Sequence, residues 1–241
     1  MALRLVLPAG ARPAGAGPVA QPAQRVLFVG NSLTAANDLP ALVEALGRAA
    51  GGPAVEAVGL TFNNFSLEDH WGRGDARQAI ERGGWTWVVL QQGPSALPDS
   101  QVSLRDWTRR FDAEIRKAGG RTALYMVWPS RARAFDFAGV SASYAAAARE
   151  IAGRLLPVGD AWRQAWALDR SLTLYGPDAF HPSELGSYLA ALVIYQGLTG
   201  RSPAGLPAQL VVRPGRALVL DDRTAGLLQQ AAAAVAATRS R

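Results

Sequence analysis

The sequence contains no cysteine, and this absence excludes two kinds of site at the outset. Neither a disulfide nor a thiolate-bound metal ion can form, and cysteine pairing gives no information on the redox compartment. Only two histidines occur among 241 residues. We therefore expect no catalytic zinc ion and no resident cofactor, whereas Mg²⁺ held by carboxylates stays compatible with the sequence.

Long apolar runs, glycine-rich phosphate loops and clustered basic residues are also lacking. No apolar stretch reaches the roughly 20 residues that span a bilayer, so we expect no stable membrane insertion. No glycine pattern of the P-loop or dinucleotide-binding type follows a strand-like run. The formal charge is +6, but residues 26–200 carry 16 basic and 17 acidic residues. Because a nucleic-acid groove needs clustered basic residues on the functional part of the fold, we expect no nucleic-acid partner.

The first 24 residues differ from the rest in composition. They contain a short apolar patch, Leu5-Val6-Leu7, which is interrupted by Pro8 and followed by small residues and prolines. A secretory signal needs an apolar stretch of about 7–15 residues. We interpret residues 1–24 as a disordered leader or a degenerate export signal. The second interpretation would make the protein periplasmic or secreted, and the first leaves a cytoplasmic location open.

The remainder of the chain alternates strand-like apolar runs with helical patterns. Hydrophobic residues make up 49% of the chain and charged residues 18%, which suits a compact globular protein. The alternation predicts an α/β fold with a parallel sheet covered on both faces. The predicted strands are residues 25–29, 54–58, 85–90, 122–127 and 155–158. The predicted helices are residues 39–50, 104–118, 141–153, 161–168 and 182–198.

The C-terminal segment follows a different pattern. Two apolar runs flank Arg213-Pro214-Gly215-Arg216, in which proline followed by glycine suits a tight turn. This predicts a small antiparallel ribbon, after which Asp221 or Asp222 can cap an alanine-rich final helix. Since no internal repeat and no linker divides the core, we expect one domain over residues 25–241, with the ribbon and helix at residues 208–238 as part of it.

The first candidate for chemistry is a serine at the end of the first predicted strand. The run Phe28-Val29-Gly30-Asn31-Ser32 leads from the strand into Gly-Asn-Ser directly before a helix. In an open parallel sheet, ligands bind at the carboxyl ends of the strands, which is where Ser32 would present its hydroxyl and its backbone N–H. The alternative is that Asn31 and Ser32 are ordinary turn residues that bond local backbone.

The second candidate is the segment Asp178-Ala179-Phe180-His181, which precedes the last predicted core helix. A serine hydroxyl becomes a good nucleophile only when a base takes its proton, and an imidazole base needs a carboxylate to fix its tautomer. One turn can present Asp178 and His181 together, and Pro182 suits the first position of a helix. The alternative is a surface loop in which His181 caps the helix and Asp178 is solvated.

Taken together, the two segments resemble the SGNH/GDSL hydrolase superfamily over roughly residues 25–200, and the run Asp178–Tyr188 resembles a poorly characterised bacterial branch of it. The resemblance implies a three-layer α/β/α sandwich with a parallel, flavodoxin-like central sheet. It also implies ester hydrolysis through an acyl-serine intermediate. Ser32 would be the nucleophile, His181 the general base and then the general acid, and Asp178 the carboxylate that orients the imidazole.

The resemblance implies an oxyanion hole built from three blocks, and here the sequence departs from the common pattern. The first donor would be the backbone N–H of Ser32. The second block usually supplies a glycine, whereas this chain has asparagines, of which we assign Asn64. The third block, Gln91-Gln92-Gly93, is closer to that of carbohydrate-acetylesterase relatives, and we assign the amide of Gln92. The alternative for both is an amide that only satisfies the backbone of its own loop.

Two other residues invite a functional interpretation. His70 lies in Glu68-Asp69-His70-Trp71, where it could pair with a carboxylate, but its position at a helix start favours a structural role. Most of the seven tryptophans fit core positions. Trp128 ends the fourth predicted strand at the edge that carries the catalytic loops, and we assign it to the lining of a substrate pocket.

These features predict a serine-dependent carboxylic-ester hydrolase, with an O-acetylated glycan or a small acyl ester as the candidate substrate. The alternative from another class is a non-catalytic glycan- or ligand-binding protein on the same fold, which the altered second and third blocks motivate. Another group-transfer or phosphoester activity is a further alternative, since a fold does not fix a function.

Overall fold

The central sheet has five strands, all parallel, in the order β2-β1-β3-β4-β5. A computed structural model of the chain describes residues 23–52 and 54–237. Most of the leader predicted at residues 1–24 therefore lies outside the described residues, and the first strand begins at Gln24. The strands are β1 (Gln24–Gly30), β2 (Val55–Thr61), β3 (Trp87–Leu90), β4 (Arg121–Tyr125) and β5 (Arg154–Leu156).

Helices connect the strands and cover the sheet. They are α1 (Ser32–Ala35), α2 (Leu39–Ala49), α3 (Leu67–Arg73), α4 (Asp75–Glu81), α5 (Pro98–Lys117), α6 (Phe137–Glu150), α7 (Val158–Leu168), α8 (Glu184–Thr199) and α9 (Asp222–Ala237). Two 3₁₀ segments, Ala36–Asp38 and Arg131–Asp136, precede α2 and α6. Among the residues described, none of the helices is long and apolar enough to cross a membrane.

Alternate residues of the strands enter two separate apolar clusters, one on each face of the sheet. Val26 and Phe28 join the cluster that includes α2 and α8, whereas Leu27 and Val29 join the one that includes α5 and α6. Because the central strands β1, β3 and β4 are largely buried on both faces, they are rich in continuous apolar residues, whereas in the edge strand β2 only Val55 is buried. The predicted three-layer α/β/α fold is confirmed.

The register of the strands brings their carboxyl ends together at one edge. Val29 of β1 pairs with Leu60 of β2 on one side and with Leu90 of β3 on the other. The residues that directly follow these positions therefore meet at one edge of the sheet. The predicted strand at residues 85–90 is shorter in the structure, because Trp85 lies before β3 and bonds its indole N–H to the carbonyl of Ala79.

The C-terminal ribbon and helix form as predicted from the sequence. Strands β6 (Gln209–Arg213) and β7 (Arg216–Val219) are antiparallel, and their buried side chains join the same apolar cluster as α2 and α8. The carboxylate of Asp221 accepts a hydrogen bond from the backbone N–H of Thr224 at 2.8 Å, so Asp221 caps α9. Of helices α3 and α4, only a helix start near His70 was predicted, because each helix has seven residues and gives a short periodic signal.

Candidate active site

The loop after β1 places Ser32 at the carboxyl edge of the sheet. Asn31 has extended backbone angles, and its side-chain oxygen accepts a hydrogen bond from the N–H of Leu33 at 3.1 Å, which starts α1 at Ser32. The carbonyl oxygen of Asn31 accepts from the N–H groups of Thr34 and Ala35. The N–H of Ser32 has no partner within the described part of the chain, so it is free to bind a ligand atom.

The loop between α7 and α8 carries Asp178 and His181. One oxygen of the Asp178 carboxylate accepts from the backbone N–H groups of Phe180 and His181, at 3.0 and 2.9 Å. The other oxygen lies 2.5 Å from Nδ1 of His181. Three bonds thus hold Asp178 and His181 in one turn, in which Ala179 adopts the left-handed conformation with φ 58°.

The two loops meet at a hydrogen bond between His181 and Ser32. Nε2 of His181 lies 2.8 Å from Oγ of Ser32, although the residues are 149 positions apart in the sequence. Because Nδ1 faces the carboxylate, this nitrogen carries the proton, and Nε2 accepts from the serine hydroxyl. The two loops therefore meet at one edge of the sheet, while the catalytic roles of Ser32, His181 and Asp178 stay predictions.

The charge state of Asp178 follows from its hydrogen bonds. The bond from the imidazole of His181 and those from the backbone N–H groups lower the pKa of Asp178 to about 2. The carboxylate consequently stays ionised at neutral pH and can stabilise a positive charge on the imidazole.

The Asp178–His181 turn is tethered to the sheet and to the serine loop. The indole N–H of Trp128 donates to the carbonyl of Phe180 at 2.9 Å, and the N–H of Arg131 donates to that of Ala179 at 2.9 Å. On the other side, the amide of Asn37 donates to the carbonyl of Pro182 at 3.1 Å. Backbone carbonyls next to His181 are thus held by both the β4 edge and the segment after α1.

The prediction that Trp128 lines a substrate pocket is wrong. The side chain is fully buried, and its ring stacks on that of Trp162 with the centroids 3.7 Å apart. Without exposed surface it cannot contact a ligand, and it acts on the site through its bond to the Phe180 carbonyl.

Pro182 also differs from the prediction, which placed it at the first helical position. Helix α8 begins at Glu184, and Ser183 is its N-terminal cap, with the hydroxyl accepting from the N–H of Gly186. Pro182 instead forms an isolated antiparallel bridge with Tyr175. The bridge closes the loop that carries Asp178 and His181, and its hydrogen bonds are donated by Gly176 and Ser183, so none needs an N–H at position 182.

Gln92, assigned to the oxyanion hole from the sequence, uses its amide inside its own loop. Its Nε2 donates to Oγ of Ser95 at 3.0 Å and to the carbonyl of Ser100 at 3.5 Å, and its Oε1 accepts from the N–H of Leu67. Both donor hydrogens are engaged, so these contacts favour the alternative in which the buried amide satisfies loop backbone.

Asn64 lies in a tight turn that is docked against the serine loop. The N–H of Phe65 bonds the carbonyl of Phe62, and Phe62 in turn donates to the carbonyl of Gly30. Asn64 has φ 62°, a conformation that glycine adopts freely and that asparagine tolerates better than most residues. The turn thus explains why asparagine can stand in a block where glycine is usual, and the role of exposed Asn64 as an oxyanion donor stays a prediction.

His70 has the structural role that the sequence favoured. It is buried, and its Nε2 lies 2.9 Å from the carbonyl oxygen of Gly30, so this nitrogen carries the proton. Burial lowers the pKa of His70, although the bond to Gly30 opposes that shift. A neutral His70 therefore donates to the carbonyl of Gly30 and helps to hold the end of β1 in place.

The sequence interpretation missed two residues that contact the site, Gln91 and Asn37. Gln91 bonds the backbone and the side chain of Asn31, and Asn37 bonds the Pro182 carbonyl. For Gln91 the contact follows from the pairing of β1 with β3, which places the residue after Leu90 beside Gly30 and which the sequence alone does not show. For Asn37 the contact depends on the tertiary fold, and no local pattern indicates it.

No group of three or more histidine, aspartate or glutamate side chains that could hold a metal ion occurs in residues 23–52 and 54–237.

Comparisons with known proteins identify the architecture. No family model matches the sequence, and no curated protein matches it. Among solved structures, the chain is similar to a candidate SGNH hydrolase from Slackia heliotrinireducens, with a TM-score of 0.63 and 26% identity over 73% of this chain and 99% of that one. A DUF4886 family protein from Bacteroides uniformis matches with a TM-score of 0.73 and 18% identity, covering 91% of this chain and 96% of its own.

A lipase/acylhydrolase from Enterococcus faecalis shares the same architecture at lower identity. Its TM-score is 0.59 and its identity 16%, and the match covers 79% of this chain and 98% of the other. The matches therefore cover nearly the whole length of each of these neighbours.

Proposed function

We propose that this chain, which has the SGNH hydrolase-like fold, is a serine-dependent carboxylic-ester hydrolase. The observation that carries the proposal is the hydrogen-bonded series from Oγ of Ser32 through His181 to Asp178. Its order and polarity are those that a serine nucleophile needs, because an acceptor nitrogen faces the hydroxyl and a carboxylate faces the other ring nitrogen. Neighbours of the same fold that are named as lipases and esterases agree with it.

The first half of the reaction acylates Ser32. As Oγ attacks the ester carbonyl, Nε2 of His181 takes the hydroxyl proton, and the ionised Asp178 stabilises the imidazolium. The tetrahedral intermediate collapses when the bond between the carbonyl carbon and the alkoxy oxygen breaks. The leaving alkoxide takes the proton from Nε2, so an alcohol departs and the acyl group stays on Ser32.

The second half removes the acyl group by the same steps with water as the nucleophile. Nε2 of His181 takes a proton from the water as its oxygen attacks the acyl carbonyl. Collapse of this second intermediate returns the proton to Oγ of Ser32 and releases a carboxylic acid, which ionises in solution. The enzyme ends in its starting state, with every proton accounted for.

The oxyanion of both intermediates needs hydrogen-bond donors beside Ser32. The N–H of Ser32 is the first, and its lack of a partner among the described residues supports this role. Asn64 is the second candidate, since its turn is bonded to Gly30. The engaged amide of Gln92 could contribute only after leaving Ser95 and Ser100. Each such donor is worth about 10²–10³ in rate.

For the substrate, we propose a short acyl ester, with O-acetyl groups on a glycan as the leading class. The support is the Gln91-Gln92-Gly93 block and its resemblance to carbohydrate acetylesterases. A second candidate function is non-catalytic binding of a glycan or other ligand at the same edge, which the engagement of the Gln92 amide favours.

Hydrolysis of p-nitrophenyl acetate tests the proposal. Purified protein should release p-nitrophenol, and Ser32→Ala should lower kcat by about 10⁴-fold or more. Asp178→Asn should lower it by about 10⁴-fold, because the imidazole then holds the wrong tautomer. Ser171→Ala is a matched control, since Ser171 is exposed and bonds only to Asp169 among the described residues. Retained turnover in Ser32→Ala would remove the mechanism, and an inactive but folded wild-type protein would favour the binding function.

A further inference from the structure

Both the oxygen and the nitrogen of the Gln91 side-chain amide are hydrogen-bonded next to the candidate nucleophile. It directly follows β3 and is almost completely buried. Its Oε1 accepts from the N–H of Asn31 at 2.9 Å and from the hydroxyl of Thr34 at 2.7 Å. Its Nε2 donates to Oδ1 of Asn31 at 3.0 Å and to the carbonyl of Gln92 at 2.7 Å. Two donors and two acceptor positions are all that a primary amide has, so its bonding capacity is fully used.

These bonds fix the orientation of the Asn31 side chain. Oδ1 of Asn31 accepts from Gln91 and also from the N–H of Leu33, while Nδ2 donates to the carbonyl of Phe65 at 3.1 Å. A rotated Asn31 amide would place its NH₂ group against the donors of Gln91 and Leu33. Gln91 therefore enforces the rotamer in which Asn31 caps α1.

These bonds also restrict the orientation of the peptide N–H that lies between the bonded N–H groups of Asn31 and Leu33. The N–H of Asn31 is held by Gln91, and that of Leu33 is held by Asn31. The peptide N–H that lies between them belongs to Ser32, and it has no partner within residues 23–52 and 54–237. With both neighbours fixed, the direction of the Ser32 N–H is fixed as well.

The space around Gly30 independently indicates that the position of the Gln91 amide is fixed. A Cβ atom on Gly30 would lie 2.5 Å from Oε1 of Gln91 and 2.5 Å from the hydroxyl oxygen of Thr34. The space that a side chain at position 30 would need is thus filled by the hydrogen-bonded pair. Glycine at the end of β1 and glutamine at the end of β3 are consequently required together.

We infer that Gln91 is a positioning residue of the proposed hydrolytic site, which aims the N–H of Ser32 at the oxyanion of the tetrahedral intermediate. The inference rests on the proposed function. It gives Gln91 a role different from that of Gln92, since Gln91 contacts the serine loop and Gln92 contacts the loop after β3 and the start of α3.

Gln91→Glu tests this role with an isosteric change. The carboxylate still accepts from Asn31 and Thr34 but faces the oxygens of Asn31 and Gln92 without a proton to donate. We expect kcat for p-nitrophenyl acetate to fall by about 10- to 100-fold with KM little changed, less than the loss of an oxyanion donor itself. Burial raises the pKa of a carboxyl group, so protonation at lower pH restores one donor. The ratio of variant to wild-type kcat should therefore rise as the pH falls.

Gln229→Glu is the matched control. Gln229 is also buried, and its amide bonds Gly205, Leu206 and Tyr188, none of which contacts Asn31 or Ser32. This variant should lose stability without a change in kcat or in its pH profile. A merely structural role of Gln91 predicts the same behaviour for both variants.

The outcomes separate the inference from the proposed function. If the folded wild-type protein is inactive, both the proposed function and the inference that rests on it are refuted. If it is active and Gln91→Glu matches it in kcat at every pH, the inference is overturned while the function stands. Gln91→Met, which keeps length without a buried charge, covers the case in which Gln91→Glu does not fold. It should show the lower kcat without the pH-dependent ratio, and an unchanged kcat would overturn the inference.

Discussion

The indole N–H of Trp128 donates to the carbonyl oxygen of Phe180 at 2.9 Å. Trp128 follows the end of β4 and is fully buried against Trp162, whereas Phe180 directly precedes His181 in a loop far along the chain. The bond therefore connects the rigid core of the sheet to the turn that carries the candidate general base. A side chain with no contact to substrate can in this way control the position of the imidazole.

Trp128→Phe should lower turnover without weakening substrate binding. Phenylalanine keeps an aromatic ring next to Trp162 but cannot donate to Phe180, so the His181 turn loses a tether. We expect kcat to fall by about 10-fold, equivalent to roughly 1.4 kcal/mol, with KM little changed. Steady-state kinetics with p-nitrophenyl acetate measure both constants.

Trp107→Phe is the matched control for this change. Trp107, on α5, packs against Trp71 of α3 and against Arg110, and its indole makes no hydrogen bond to any described residue. Its replacement should leave kcat unchanged. A rise in KM at constant kcat for Trp128→Phe would contradict the role of Trp128 as a tether of the His181 turn.

The carboxyl group of Asp178 should titrate well below its ordinary range. Its pKa of about 2 is due first to the bond from His181, so the carboxylate is ionised at any pH above about 4. The lowered pKa means that its contribution to folding stability is present above the ordinary value of 3.8 and is lost as the pH falls through about 2. Carbon-13 NMR of the Asp178 carboxyl group measures the midpoint.

His181→Gln should raise that midpoint toward the ordinary value, because the bond from Nδ1 is lost while the backbone bonds from Phe180 and residue 181 remain. An identical midpoint in the wild type and in this variant would mean that Asp178 and His181 do not pair in solution.

Two buried tyrosines of the core should respond oppositely to loss of their hydroxyl groups. Oη of Tyr144 contacts the carbonyl oxygens of Gln92 and Gly93 at 2.7 and 2.9 Å, whereas Oη of Tyr125 has no hydrogen-bond partner among the described residues. Tyr144→Phe should lower the free energy of unfolding by about 1–3 kcal/mol, because it leaves the buried backbone N–H of Gln92, which donates to Oη of Tyr144 at 3.3 Å, without its acceptor. Tyr125→Phe should be neutral or stabilising by up to about 1 kcal/mol. Urea denaturation compares the two, and equal losses would contradict these assignments.

Gly186 is required by close packing at the start of α8. A Cβ atom there would overlap the carbonyl oxygen of Leu174 and lie 2.7 Å from a ring carbon of Trp162. Gly186→Ala should therefore lower the free energy of unfolding by about 1–3 kcal/mol in thermal or urea denaturation. Gly226→Ala, in α9 with no atom within 4 Å of the added carbon, should instead stabilise by about 0.5–1 kcal/mol. Stabilisation by both changes would contradict the packing at Gly186.

The sequence predicts the parts of the fold that have strong local signals. Strand-like runs of mostly apolar residues predicted all five strands of the sheet, and Gly30-Asn31-Ser32 after the first run predicted the position of the candidate nucleophile. The Asp178–His181 turn was predictable because its hydrogen bonds are local, within three residues. The proximity of Ser32 and His181, which are 149 residues apart in the sequence, was predicted only through the resemblance to a known family.

What the sequence could not predict depends on tertiary contacts. Gln91 and Gln92 are adjacent and chemically identical, and only the pairing of β3 with β1 decides which of them reaches Asn31. Trp128 is of a residue type that often lines pockets, but Trp162, which lies on a separate helix, stacks on it and buries it. Pro182 fits the first helical position by propensity, yet Ser183 caps α8 and the proline bridges to Tyr175.

Covalent labelling with a fluorophosphonate tests the central claim most directly, because the probe reacts only with a serine that a base has activated. Mass mapping of the labelled protein should place the adduct on Ser32, 2.8 Å from Nε2 of His181 in the structure. Labelling should disappear in Ser32→Ala and fall strongly in His181→Gln. Absence of any adduct on the folded wild-type protein, or an adduct on a different serine, would contradict the account.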